Sequence, residues 1–232
     1  MEFIQSLIPG LLIRRYKRFL ADVDLDDGTV VTAHCANTGS MLQMSDPGSP
    51  VMLTEATNPE RKTRYDWQLV KVNGLWAGIN TAVPNMLIRE GWETGIIPEF
   101  RGYDTFRREV KYGVSSRADA CLSGPEGDCW VEAKNVTLVE DNRALFPDAV
   151  TSRGAKHLDE LSAMVREGHR AILFLLSQRM DAAEMGIAEH IDPYYADRMR
   201  AAIETGVEVL SWRAEVTLAG IQLDRELPFA FK

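Results

Sequence analysis

"RADACLSGPEGDCWVEAKNV", residues 117–136, decides the fold of this 232-residue chain. Its ends, "RADACLSG" and "CWVEAKNV", read as strands, and "GPEGD" between them supplies the Gly, Pro and Asp of a hairpin turn. Alternate residues of a strand share a face, so Glu132 and Lys134 project together, and Asp119 on the antiparallel neighbour stands beside them. Such a set is either the centre of a metal-dependent nuclease or the ordinary charge of a solvated hairpin. D-x12-E-x-K alone favours the hairpin, because 26% of the residues here are charged and chance matches are common.

The flanking segments shift that balance. Upstream, "FRREVKYG" predicts another strand, carrying Glu109, and "NMLIREGWETG" a helix with Thr81 as cap, Pro84 in its first turn and Gly95 as stop. Downstream, "TSRGAKHLDELSAMVREGH" puts Leu158, Leu161, Met164 and Val165 on one helical stripe, with Thr151 or Ser152 as cap and Gly168 as stop. "RAILFLLSQ" follows, a continuous apolar run that predicts a strand covered on both faces. The order is α-β-β-β-α-β, and the acids fall on the second and third strands of an α/β core. A further helix is expected at 193–205 and a last strand pair in "VEVLSWRAEVT" and "GIQLDREL".

On the nuclease reading, Mg²⁺ or Mn²⁺ takes oxygen ligands from Asp119, Glu132 and the main-chain carbonyl of Ala133, with water in the remaining positions. Glu109 completes the carboxylate group. Lys134 holds the attacking water or stabilises charge developing on the phosphorane. Arg153, Lys156 and His157 open the following helix, where the dipole favours a phosphate, although Lys156 can equally pair with Glu160 one turn on.

Residues 11–80 read differently: "RRYKRFLADVDL", "TVVTAHC", "SPVMLTEA", "YDWQLVKV" and "LWAGIN" are five short strands cut by turn signals. Five strands suggest a small barrel, OB-like or SH3-like. "RRYKRF" (14–19) and "RKTRYDW" (61–67) interleave cations with Tyr16, Phe19, Tyr65 and Trp67. Arg14, Arg15, Lys17, Arg18, Arg61 and Lys62 are thus candidate backbone contacts beside stacking aromatics, as OB folds hold single strands. A solvated face with aromatics in the core gives the same pattern.

The net charge of -8 opposes a broad nucleic-acid footprint, but it is uneven. Residues 1–80 hold 8 Lys and Arg against 9 Asp and Glu; residues 81–232 hold 18 against 25. Cys35, Cys121 and Cys129 are odd in number and lack paired spacing, which excludes a disulfide framework or zinc knuckle and points to a reducing cytoplasm. No apolar run is long enough to span a bilayer, so no membrane partner is expected.

The chain resembles the sugar fermentation stimulation protein A family along essentially its whole length. "LIRRYKRFLADV", "AHCANTGSM", "INTAVPN", "REVKYG", "VEAKNVTL", "FPDAVTSRGAKHL" and "VEVL" stand in the family's order. The resemblance implies an OB-like domain, here residues 1–80, followed by a restriction-endonuclease-like α/β domain of the PD-(D/E)XK type, residues 81–232. It also implies DNA as partner, with no sequence preference expected, and a nuclease-like centre at Glu109, Asp119, Glu132 and Lys134. The Pro that usually precedes the first acid is Ala118 here. Three functions compete: a metal-dependent nuclease, a DNA-binding regulator of sugar metabolism genes on a nuclease-like scaffold, and an interaction protein whose acidic cluster is structural.

Overall fold

A computed structural model describes residues 1–58, 60–113 and 116–231. Six strands come first: β1 (Ile8–Tyr16), β2 (Leu20–Leu25), β3 (Val30–Cys35), β4 (Pro50–Glu55), β5 (Tyr65–Val72) and β6 (Leu75–Gly78). β1 pairs with β2 and β4, β2 with β3, and β4 with β5, and a parallel β3–β5 contact closes a five-stranded OB-like barrel. Trp67 fills its centre with Leu12, Val23, Leu53 and Val70 around it, and its indole N–H donates to the Leu69 carbonyl at 2.8 Å.

Two of the five expected strands are assigned differently by the fold. "RRYKRFLADVDL" is not one strand but the hairpin β1–β2, turned at Lys17 and Arg18, whose φ angles are 50° and 66°. No Gly or Asn announces that left-handed turn. "LWAGIN", conversely, is no barrel stave. Among the described strands β6 pairs with β5 alone, and beyond the barrel it bridges at Ala77 to Arg179, while the Gly78 N–H donates to the Gln178 carbonyl at 3.1 Å. A Cβ on Gly78 would run into the side-chain amide of Gln178, which would have to move and give up its bonds to Asn80 and Asn135.

The second half comprises α1 (Val83–Thr94), β7 (Thr105–Tyr112), β8 (Ser116–Gly124), β9 (Gly127–Val136), β10 (Leu138–Glu140), β11 (Arg143–Phe146), α2 (Ser152–Arg166), β12 (Arg170–Ser177), β13 (Glu184–Ile187), α3 (Pro193–Thr205), β14 (Glu208–Val216) and β15 (Ile221–Glu226). The main sheet runs β15-β14-β12-β9-β8-β7, with β12 parallel to β9 and β14 and the outer pairs antiparallel. Along β12, Ala171, Leu173 and Leu175 pack with α2 and α3, while Ile172, Phe174 and Leu176 pack with α1 and with Leu69 of the barrel. Both faces are covered, which is why the strand reads as an unbroken apolar run.

The helix ends follow their chemistry with one change. Thr151 caps α2 as expected, its hydroxyl accepting the Gly154 N–H at 3.0 Å, and Gly168 follows the helix with φ 89°. Buried Asp192 caps α3 through Tyr195 N–H and also accepts Thr151 N–H, so one carboxylate joins two helix starts. At α1, Thr81 is not the cap: its hydroxyl donates to the Ala36 carbonyl, and Asn80 Oδ1 accepts the Ala82 N–H instead. The small sheet β10-β11-β13 was not expected; "VTLV" reads as a continuation of β9, and Asp141 and Asn142, with φ 48° and 63°, turn the chain back.

Candidate functional site

The two strands of the opening hairpin separate where the acids sit. β8 and β9 pair from Gly124↔Gly127 up to Ala120↔Val131. At the next position the Asp119 side chain takes over from the ladder: Oδ2 accepts the Ala133 N–H at 2.8 Å, and Oδ1 accepts from Asn85 Nδ2 of α1 at 2.8 Å. A carboxylate thus satisfies the main-chain donor that the departing strand leaves. It stands beside Glu132 in a cleft of about 380 Å³ lined by Glu109, Asp119, Glu132, Arg153, Lys156 and His157.

Glu132 is buried, and its Oε1 is held by Lys134 Nζ at 2.6 Å and by His157 Nδ1. Its Oε2 has a weaker neighbour, the Tyr112 hydroxyl at 3.5 Å. Lys134 therefore lies where the sequence put it, beside Glu132, and also 3.2 Å from His157 Nδ1. Arg153 Nε reaches His157 Nε2 at 3.4 Å. Lys156 reaches Glu160 at 3.5 Å, the helical pair anticipated above. Glu109 is exposed with φ 52°, and the register β7–β8 sets it opposite Asp119; its carbonyl accepts from Arg117 at 3.2 Å. Nothing in the sequence marks Asn85 or Tyr112 for this site, since neither carries a charge or shares the strand period that gathers the acids, and His157 is Glu132's partner rather than the phosphate contact expected of it.

The two acids are driven apart electrostatically. Burial pushes the Asp119 carboxyl above the usual aspartate range, and the charge of Glu132 adds to it, outweighing the hydrogen bonds it accepts. Burial also opposes ionisation of Glu132, but the adjacent Lys134 and His157 prevail and hold it below the usual range. Burial and Glu132 together raise the Tyr112 phenol, which stays a neutral donor. Because ionised Asp119 is disfavoured by the fold, Asp119→Asn should raise the melting temperature of the metal-free protein at pH 7, by about 2–4 °C per kcal/mol relieved. Asn retains an oxygen for the Ala133 N–H. Calorimetry in EDTA checks this; a lowered melting temperature contradicts it.

Among the described residues no three His, Cys, Asp or Glu side chains converge as a ready-made metal cage. The oxygens available there are those of Asp119 and Glu132 Oε2. That set suits a hard cation that keeps several waters, as Mg²⁺ does, better than a dehydrated structural site.

On the barrel, a groove of about 1030 Å³ is lined by Lys17, Phe19, His34, Arg61, Lys62 and Asp66, among others. The candidate cations differ in how they are engaged. Arg15 donates to the carbonyls of Arg18, Asn37, Gly39 and Ser40 and so braces a loop, and Arg18 Nε donates to Thr38. Arg14 pairs with Asp22, and Arg61 grips Asp66 through two 2.9 Å bonds. Lys17 and Lys62 are exposed at the groove. Of the aromatics, Trp67 is core, Tyr16 bonds Asp22, and Phe19 is 46% exposed.

Comparison with known proteins agrees with this architecture. Residues 13–79 match the SfsA N-terminal OB domain, and residues 82–220 match the sugar fermentation stimulation protein RE domain. The chain belongs to the sugar fermentation stimulation protein family. The homolog of Geobacter sulfurreducens is 55% identical over 97% of this chain and 96% of its own, and that of Rhodospirillum centenum 52% over 98% of each. A solved structure, Pyrococcus furiosus SfsA in complex with Ca²⁺, superimposes with a TM-score of 0.91 at 27% identity, covering 99% of both chains. No helix among the described residues is long and apolar enough to cross a membrane.

Proposed function

We propose that this protein is a divalent-metal-dependent nuclease of the PD-(D/E)XK type that binds DNA and cleaves its phosphodiester bonds in the acidic cleft. The observation that carries the reading is the parting of β8 and β9, which leaves Asp119 and Glu132 side by side in one cleft, Lys134 tied to Glu132 next to it, with a charge imbalance that a cation relieves. The Ca²⁺ held by the Pyrococcus furiosus relative supports a divalent ion, with Mg²⁺ or Mn²⁺ as the working metal here. Asp119, Glu132 and the Ala133 carbonyl would hold it; bound there, it supplies positive charge against the scissile phosphate and acidifies water.

The chain's own groups do the rest. Lys134, already oriented by Glu132, stabilises the charge that develops on the phosphoryl oxygens. Arg153 and Lys156 stand at the cleft wall near the start of α2, where a phosphate is favoured. Lys17 and Lys62, with exposed Phe19, receive the strand on the barrel. These contacts address phosphates and base faces rather than base edges, hence no sequence preference. Three buried free cysteines suit a reducing cytoplasm.

The test is incubation with labelled single-stranded, double-stranded and branched DNA and with RNA, in Mn²⁺, Mg²⁺ or EDTA. Cleavage of DNA in the metal arms alone, lost in Asp119→Ala, is expected; intact nucleic acid throughout contradicts the reading. Metal affinity should also depend on pH. Proton and cation compete for Asp119, whose raised pKa lets the proton win at a higher pH than for an ordinary aspartate. Titrations between pH 7 and pH 4 should show Mn²⁺ affinity already falling above the usual aspartate value of about 3.9. Constant affinity down to that value would show that Asp119 takes no part.

A further inference from the structure

We infer that His157 is the positioning residue of the acidic cleft: its Nδ1–H fixes the Glu132 carboxylate with Oε2 left for a cation, and Arg153 sets the imidazole tautomer that allows it. The inference rests on the nuclease reading of that cleft. His157 is 5% exposed, and its ring meets three polar groups. Nδ1 faces Glu132 Oε1 and lies 3.2 Å from Lys134 Nζ, and Nε2 lies 3.4 Å from Arg153 Nε.

Donor and acceptor roles follow from the partners. A guanidinium only donates, so Nε2 is the acceptor and the ring proton of the neutral imidazole sits on Nδ1. A protonated Nδ1 cannot accept from Lys134, whose ammonium is therefore directed to Glu132 Oε1, 2.6 Å away. Two donors converge on one carboxylate oxygen, and among the described residues Oε2 keeps only the 3.5 Å contact to Tyr112. Without His157, Glu132 would be oriented by a flexible lysine stem alone. Partners that orient a metal ligand in this way commonly change metal affinity by about 10–100-fold when removed.

Two amide side chains separate this role from space filling. Asn places an N–H near the position of Nδ1, and Gln places one near that of Nε2. H157N keeps the donor to Glu132, whereas H157Q, the closer match in volume, loses it. Mn²⁺ binding to the full chain is measured by titration calorimetry, with Asp119→Ala as the control lacking the site, and kcat and KM for DNA are read alongside. Affinity about 10–100-fold weaker in H157Q, with lower kcat and unchanged KM, and near-wild-type behaviour in H157N, are the expected results.

Wild-type Mn²⁺ affinity in H157Q, or equal losses in folded H157N and H157Q, would overturn the inference. Should both variants fail to fold, Arg153→Met keeps His157 and removes the donor to Nε2 together with one positive charge of the cleft wall: loss of that charge alone would tighten Mn²⁺ binding, so weaker binding supports the inference, and unchanged or tighter binding overturns it. A wild-type protein that binds no Mn²⁺ would instead remove the nuclease reading itself.

Discussion

Lys134→Met is expected to lower DNA cleavage by about 10²–10³-fold, the loss typical of removing one donor that acts on developing charge, while DNA affinity changes little. The Lys134 side chain is 14% exposed and its ammonium is tied to Glu132, so it contributes little to holding a distant phosphate backbone; its task lies mainly in the transition state. The same substitution should destabilise the fold. Glu132 would stay buried with His157 alone, and losing one partner of a buried ion pair costs about 3–5 kcal/mol. The sign with pH is fixed by the depressed carboxyl of Glu132. Its contribution is present above the unfolded glutamate value, about 4.3, and is lost as pH falls through the lower folded value. The deficit of Lys134→Met should therefore be full at pH 7 and shrink as Glu132 takes up a proton. Urea unfolding at pH 7 and in mild acid reads this; an equal deficit at both would mean that Lys134 acts by packing.

Phe174→Ala should cost about 3–5 kcal/mol, the range for truncating a buried aromatic. Phe174 is fully buried at the middle of β12, packs on the α1 side of the sheet, and pairs in register with Ala133, between Glu132 and Lys134. Truncation removes packing directly behind the strand that presents both catalytic candidates, so activity should fall with stability rather than independently of it. Equilibrium unfolding and cleavage rates measured together test this. A loss under about 1 kcal/mol would show that the site collapses around the missing ring, as happens only where neighbours can move.

The parts of the fold legible in sequence were those with strong local signals. The stripe of Leu158, Leu161 and Met164, the cap Thr151 and the apolar run of β12 each follow from a period or a terminus chemistry. What escaped depends on tertiary closure. The turn at Lys17 and Arg18 contains no residue that prefers positive φ, so the neighbouring strands impose it. β6 has an ordinary strand pattern, and only Gly78 against Gln178 shows that it joins the barrel to the sheet. In the cleft, Asp119, Glu132 and Lys134 were readable because the strand period puts them together. Asn85 was not, because it reaches Asp119 from a helix 34 residues earlier. Arg15 illustrates the converse: a cation in a basic run that looks ready for phosphate is engaged by four main-chain carbonyls.

If DNA phosphate enters the cleft, the metal-free carboxylates repel it and a bound dication reverses the sign. Fluorescence anisotropy of wild type and Asp119→Asn on one labelled DNA, at fixed ionic strength with EDTA or Ca²⁺, measures this directly. Ca²⁺ should tighten wild-type binding, and Asp119→Asn should bind more tightly than wild type in EDTA, by on the order of 1 kcal/mol, with a smaller response to Ca²⁺. Four superimposable curves would show that DNA does not visit the acidic cleft, and the nuclease assignment would fall.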